Sequence, residues 1–166
     1  MDLIVTPDGG ARWGGRRFRC ALGRAGVGVD KREGDGATPA GVLALQRVLY
    51  RPDRVTPPET ILPVAALDPA DGWCDAPDDA SYNRQVRLPH DASCEALWRG
   101  DHLYDLIVVT DHNDAPVAAG RGSAIFLHVA EPAYGPTEGC IAFALDDLRL
   151  IVERWRPDDR VRVGAG

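Results

Sequence analysis

Two reactive side chains bracket a turn-rich loop late in the chain: His128 in "AIFLH" and Cys140 in "PTEGC", 12 positions apart (140 − 128). A thiol with a pKa of about 8.5 becomes a nucleophile when a nearby base takes its proton. An imidazole suits that task, and the loop through Pro132, Gly135 and Pro136 can fold its two ends together. Gly139 immediately precedes the cysteine, so the backbone can turn sharply and aim the N–H groups of Gly139 and Cys140 outward. An outward N–H pair is what stabilises an oxyanion when an acyl carbon is attacked. The same residues also fit a plainer arrangement. His128 shares a strand face with Ala124 and Phe126, where a histidine is more often a satisfied core residue, and Cys140 precedes an apolar run. Residue types and spacing leave both readings open.

Other candidates carry their own alternatives. His112, with Asn113 in "TDHNDAP", could reach a substrate or merely shape a turn, and Tyr82 and Asn83 could line a cleft. Trp73 reads as a packing anchor, although an exposed indole could stack on sugar. Asp75, Asp78, Asp79 and Asp91 lack the spacing of a calcium loop. His90, His102, His112 and His128 show no HExxH pairing. Cys20, Cys74, Cys94 and Cys140 contain no CxxC, which removes zinc-ribbon and thioredoxin-like readings. The expectation is therefore no metal and no cofactor. The even cysteine count permits disulfides, but a domain this long does not need them.

The elements that must position these residues are mostly strands. "RRFRCALG" alternates, with Phe18, Cys20 and Leu22 on one face, and reads as a half-buried strand with Cys20 in the core. The arginines from Arg12 to Arg19 then form its solvent face. "VLALQRVLY" suits helix or strand, and its β-branched content and flanking Gly41 and Pro52 favour strand. "LYDLIVVT" and "SAIFLHVA" are the clearest strands. Residues 52–92 are rich in Pro and Asp and read as a long, mostly irregular and functional stretch. "SCEALW" fits a short helix capped by Ser93. In "LDDLRLIVERW", Leu145, Leu148, Ile151, Val152 and Trp155 recur at helical spacing, Asp146 and Asp147 begin it, Arg154 ends it, and Pro157 stops it. "RVRV" returns to alternation and can close the sheet. The expected fold is a mainly-β sandwich or partly open barrel of mixed sheets, with one clear C-terminal helix, as a single domain over residues 1–166.

Composition bounds the function. A chain of 166 residues buries about 70% of its unfolded surface, enough for a true core. Eighteen Gly and thirteen Pro are too many breaks for a helical bundle. A net charge of −6 and a pI near 5.1 argue against nucleic acid as a main partner. No apolar run approaches the roughly 20 residues of a membrane helix, and no secretory signal is visible at the N-terminus.

"SAIFLH" followed by "PTEGCIA", together with "DKREGDGATPAG", resembles the catalytic signature of the L,D-transpeptidase family with the YkuD domain. The two blocks occur in the family's order and span residues 30–142. The resemblance implies a compact YkuD-like domain acting on peptidoglycan stem peptides. Cys140 would attack an L–D peptide bond and form a thioester, and His128 would serve as base. The Val129 carbonyl would orient the imidazole, the Gly139 and Cys140 N–H groups would hold the oxyanion, and Thr137 would line the site. The product would be a 3,3 or a 1,3 cross-link. A hydrolytic carboxypeptidase or endopeptidase using the same pair is the alternative, as is a non-catalytic peptidoglycan-binding domain. Such a substrate places the protein, expected to be a monomer, in the periplasm or cell envelope; with no visible signal, a cytoplasmic location stays open. Three departures stand out: Glu138 where His is usual, Ala142 where Arg or Asn is usual, and a shortened loop between His128 and Thr137.

Overall fold

Alternating sequence at the N-terminus pairs as alternating sequence should, one face inward and one to water. In the computed structural model, which describes residues 1–164, β1 (Asp2–Val5), β2 (Gly10–Trp13) and β3 (Arg16–Ala21) form an antiparallel meander. Leu3, Val5, Ala11, Trp13, Phe18 and Cys20 are buried, while Arg12, Arg16, Arg17 and Arg19 are exposed. The arginine cluster is thus a solvent face. A short parallel pair follows, β4 (Val27–Gly28) with β5 (Thr38–Pro39). "VLALQRVLY" is strand throughout most of its length, as β6 (Gly41–Leu43) and β7 (Leu45–Tyr50).

The stretch from 52 to 92 is more ordered than its composition suggests. It contains β8 (Val64–Ala66), β9 (Asp71–Cys74) and β10 (Gln85–Arg87). The helix expected at "SCEALW" is absent: Cys94–Ala96 is strand β11, paired antiparallel to β9. Six residues cannot meet the entropy of nucleating a helix without a second turn to bury. The open edge of β9 offers backbone partners instead, and the Ser93 carbonyl accepts the Asp75 N–H at 3.2 Å rather than capping a helix.

Beyond these lie β12 (Leu106–Thr110), β13 (Phe126–Val129), β14 (Ile141–Phe143), helix α1 (Leu145–Arg154) and β15 (Arg160–Val163). The helix buries Leu148, Ile151 and Val152 and carries Asp146 and Asp147 in its first turn. Its N-cap, Ala144, supplies no side-chain oxygen, so those two carboxylates are what complement the positive end of the dipole. Trp155 ends it and stacks on Trp13 at 6.1 Å.

Ten strands form one strongly curled half-barrel sheet in the order β6-β15-β1-β2-β3-β14-β13-β12-β7-β8, and β10-β9-β11 form a separate sheet. The fold is mainly β with one C-terminal helix, as expected. β15 does not seal an edge; it lies between β1 and β6. Two cores sit on opposite faces of the central strands. Inside the curl, Leu106, Val108, Leu127, Ile141 and Phe143 pack with α1 and the N-terminal meander. On the outer face, Leu49, Ile107, Val109, Phe126 and Cys140 pack under Trp73, Leu97 and Tyr104. Every residue of β12 and β13 is buried, which is why their sequences read as unbroken apolar runs rather than alternations. His128 is part of such a run and lies on the outer face, alternate to Leu127 and Val129.

Candidate active site

β13 and β14 are parallel neighbours, with Leu127 opposite Ile141 and His128 opposite Ala142. Side chains two apart share a face, so Phe126, His128, Cys140 and Ala142 project to the same side. Cys140 and His128 both line a cavity of 490 Å³ on that side. The two residues of the sequence motif are therefore brought to one cleft by adjacent strands.

His128 is buried, and its Nδ1 lies 2.8 Å from the Val129 carbonyl. A carbonyl only accepts, so Nδ1 carries the proton and Nε2 keeps a lone pair. This is the tautomer a base needs. The ring meets Tyr104 edge to face at 5.3 Å, and the Tyr104 hydroxyl donates to the half-buried Glu95. Burial pushes His128 down to about 4 despite the opposing Val129 carbonyl. Burial also pushes the Cys140 thiol up to about 12, reinforced by the negative field of Glu95 and opposed by the Phe126 N–H and Lys31. The resting pair is neutral thiol and neutral imidazole. The thiol donates to the Ala124 carbonyl at 3.1 Å and accepts the Phe126 N–H at 3.4 Å.

The turn before Cys140 is built by two distant segments. Gly139 has φ of +136°, and a Cβ there would lie 2.8 Å from the Ala37 carbonyl oxygen, so only glycine fits. Thr38 accepts the Gly23 N–H at 2.8 Å and donates to the Cys140 carbonyl at 3.4 Å. The "GDGATPAG" block thus lies directly against the "TEGC" turn. Thr137 lines the cavity and donates to the Cys140 carbonyl at 2.7 Å. Its hydroxyl also accepts the Gly139 N–H at 3.1 Å. Of the N–H pair anticipated for an oxyanion, the Gly139 member already has a partner here.

Three sequence candidates stand apart from the cavity lining. Asn83 is buried behind it: its side-chain oxygen accepts the N–H groups of Ala124 and of the Trp73 indole at 3.0 Å each, and its amide donates to the carbonyls of His112 and Asn113. Ala124 has φ of +53°, a strained conformation for a residue with a Cβ, and Asn83 holds it there. Tyr82 accepts the Gly122 N–H at 3.1 Å and donates to Glu33. His112 donates from Nε2 to the Arg121 carbonyl at 2.9 Å and shapes the turn of residues 112–121. Trp73 is buried and packs edge to face on Phe126 at 4.9 Å, an anchor rather than a sugar platform.

The lining includes residues the sequence did not flag. Lys31, the only lysine, is buried with Nζ paired to Asp35. Asp35 also accepts the Ala37 N–H and is held down to about 2. Lys31, Arg99, Asp75 and Glu95 all reach the cavity. The signal for Lys31 was its place in "DKREGDGATP"; Glu95 and Arg99 carried none, because β11 pairing brings in Glu95 and the loop after it brings in Arg99. Glu138, one of the departures, also lines the cavity and pairs with Arg24 at 3.0 Å in an exposed ion pair. Ala142 is buried beside His128.

A curled, mainly-β sheet presenting a histidine and a glycine-cysteine turn to one polar cleft defines a class of small enzymatic domains. The chain belongs to the YkuD family of L,D-transpeptidase catalytic domains, whose family model matches residues 3–163. It is accordingly an L,D-transpeptidase-type enzyme, of a family whose substrates are peptidoglycan. No curated protein and no solved structure matches it.

Proposed function

We propose that the protein is a cysteine acyltransferase that cross-links peptidoglycan stem peptides through L,D bonds. The observation that carries this reading is that Cys140 and His128 share one strand face and one cavity, with the His128 Nδ1 tied to Val129. The S–H turns from the Ala124 carbonyl and passes its proton to His128 Nε2 as sulfur attacks the carbonyl carbon of an L–D peptide bond. A neutral resting pair makes this general-base attack rather than use of a standing thiolate. The developing oxyanion is met by the Cys140 N–H, and by the Gly139 N–H once Thr137 turns away. The amine of the departing D-residue takes the proton from the imidazolium, leaving a thioester on Cys140. An acceptor amine then gives a proton to His128, attacks the thioester and releases the thiol.

Lys31 and Arg99 opposite Asp75 and Glu95 give the cleft both charges, which suits a stem peptide carrying carboxylates and amines. Lys31 and Arg99 line the same cavity as Ala142, so we assign them the substrate carboxylate. No helix among the described residues is long and apolar enough to cross a membrane; the family's peptidoglycan substrates support our reading of a monomeric domain working in the cell envelope. The test is incubation with a carbapenem followed by intact-protein mass spectrometry, and incubation with sacculi followed by muropeptide analysis. A single adduct at Cys140, absent from Cys140→Ala, and new L,D cross-links are expected. Muropeptides that are only shortened or opened would make the enzyme a hydrolase. No adduct, with Cys140→Ala as active as the wild type, would remove the cysteine mechanism.

A further inference from the structure

Away from the catalytic cleft, Cys74, His90 and Cys94 bring one ligand atom each to within 4.8 Å of one another. Cys74 ends β9 and Cys94 begins β11, directly opposite in the antiparallel register. His90 comes from the loop that joins β10 to β11. Asp79, from the β9–β10 loop, adds a carboxylate oxygen 3.3 Å from His90 Nε2. In a tetrahedral zinc site with metal–nitrogen and metal–oxygen distances of about 2.0–2.1 Å, neighbouring ligands are about 3.4 Å apart. The His90–Asp79 separation already has that value. The sulfurs need to close to about 3.8 Å from each other.

We propose that Cys74, Cys94 and His90 hold a structural zinc ion, with Asp79, beside His90, turning in as the fourth ligand. Two thiolates and an imidazole favour Zn²⁺ over hard cations, and with Asp79 turned in the fourth position would be closed, as structural sites require. Each thiol releases its proton as the metal binds. A disulfide between Cys74 and Cys94 would use the same cross-strand pair but would not account for a His90 ring nitrogen lying within 4.8 Å of both sulfurs. The site staples β9, β11 and both intervening loops. The residues next to the two cysteines, Asp75 and Glu95, line the catalytic cavity, so the metal fixes one wall of it.

The spacing Cys74, His90, Cys94 matches no short zinc motif, which is why the sequence pointed to no metal. The test uses the reduced full chain, stripped with chelator and reloaded with Zn²⁺ or Co²⁺. Elemental analysis after gel filtration should find one zinc per chain, and Co²⁺ should give thiolate charge-transfer bands with tetrahedral d–d absorption. Cys74→Ser and His90→Ala should each weaken binding by more than about 100-fold, beyond the effect of an outer-shell change. His90→Cys should restore it, and Cys140→Ala should bind as the wild type does. Circular dichroism establishes that each variant is folded. Absence of the thiolate bands, their survival in Cys74→Ser, their loss in Cys140→Ala, or a Cys74–Cys94 disulfide in peptides from alkylated cell extracts would overturn the proposal.

Discussion

In the proposed mechanism Cys140 and His128 start from unusual resting states, and the cause is burial on a strand face covered by a second sheet. A buried imidazole resists the charge of protonation, and a buried thiol resists that of ionisation. With His128 lowered to about 4, the base stays competent well below the usual histidine range. The acid limb of kcat/KM, measured with a stem-peptide donor, should therefore fall near pH 4 rather than near 6.5. An acid limb at 6.5 would mean that His128 is solvated in the working enzyme. The neutral pair also explains the hydrogen bond from the thiol to Ala124: a protonated sulfur needs an acceptor.

At the scale of elements, the sheet β10-β9-β11 and its loops act as a brace behind the cleft. Asn83 is its central tie, joining Trp73 on β9 to Ala124, whose carbonyl holds the Cys140 thiol. Replacing Asn83 with Leu leaves the N–H of Ala124 and that of the Trp73 indole buried without an acceptor. Each such orphaned group costs about 1–3 kcal/mol, so urea unfolding should show a loss on the order of 3–5 kcal/mol. Ala124 would then relax from its strained φ, moving the thiol. A displacement of that kind can lower turnover by up to about 100-fold, so kcat should fall more than KM rises. A variant with full turnover would show that Asn83 serves only the loop.

The whole molecule carries the same electrostatics into its stability. His128 is depressed from 6.5 in the unfolded chain to about 4 in the fold. Its contribution is complete above pH 6.5 and is lost as pH falls toward 4, because the unfolded chain gains a proton that the fold refuses. At about 1.36 kcal/mol per unit, the loss is on the order of 3 kcal/mol. Cys140 works in the opposite sense: raised from 9.0 to about 12, it contributes fully below pH 9 and less as pH climbs toward 12. Urea midpoints across pH should form a dome with both limbs, and His128→Gln should flatten the acid limb while leaving the alkaline one.

Local pattern was enough for much of this. Alternation in "RRFRCALG" named Phe18 and Cys20 as inward and the arginines as solvent-facing, and the 3.6-residue period marked α1 with its stop before Pro157. The glycine before Cys140 and the histidine on an apolar strand made the two residues candidates while leaving a packing role open, and the resemblance to the YkuD signature chose between the readings. What local pattern missed depended on pairing. "SCEALW" became a strand because β9 offered it an edge, a partner 20 positions away (94 − 74) in sequence. Tyr82, Asn83 and His112 moved from the cleft to its supports because hydrogen bonds to the 110–124 segment fix them there. Glu95 entered the cleft, and Cys74 met Cys94, through the β9–β11 register, while Lys31, Arg99, His90 and Asp79 arrived on loops that only the folded chain brings together. Sequence by itself determined which residues are reactive and which faces are apolar, because those properties belong to side chains and short periods. Tertiary structure decided which reactive groups meet and how burial sets their charge, because distance and desolvation depend on strands that only the folded sheet makes neighbours.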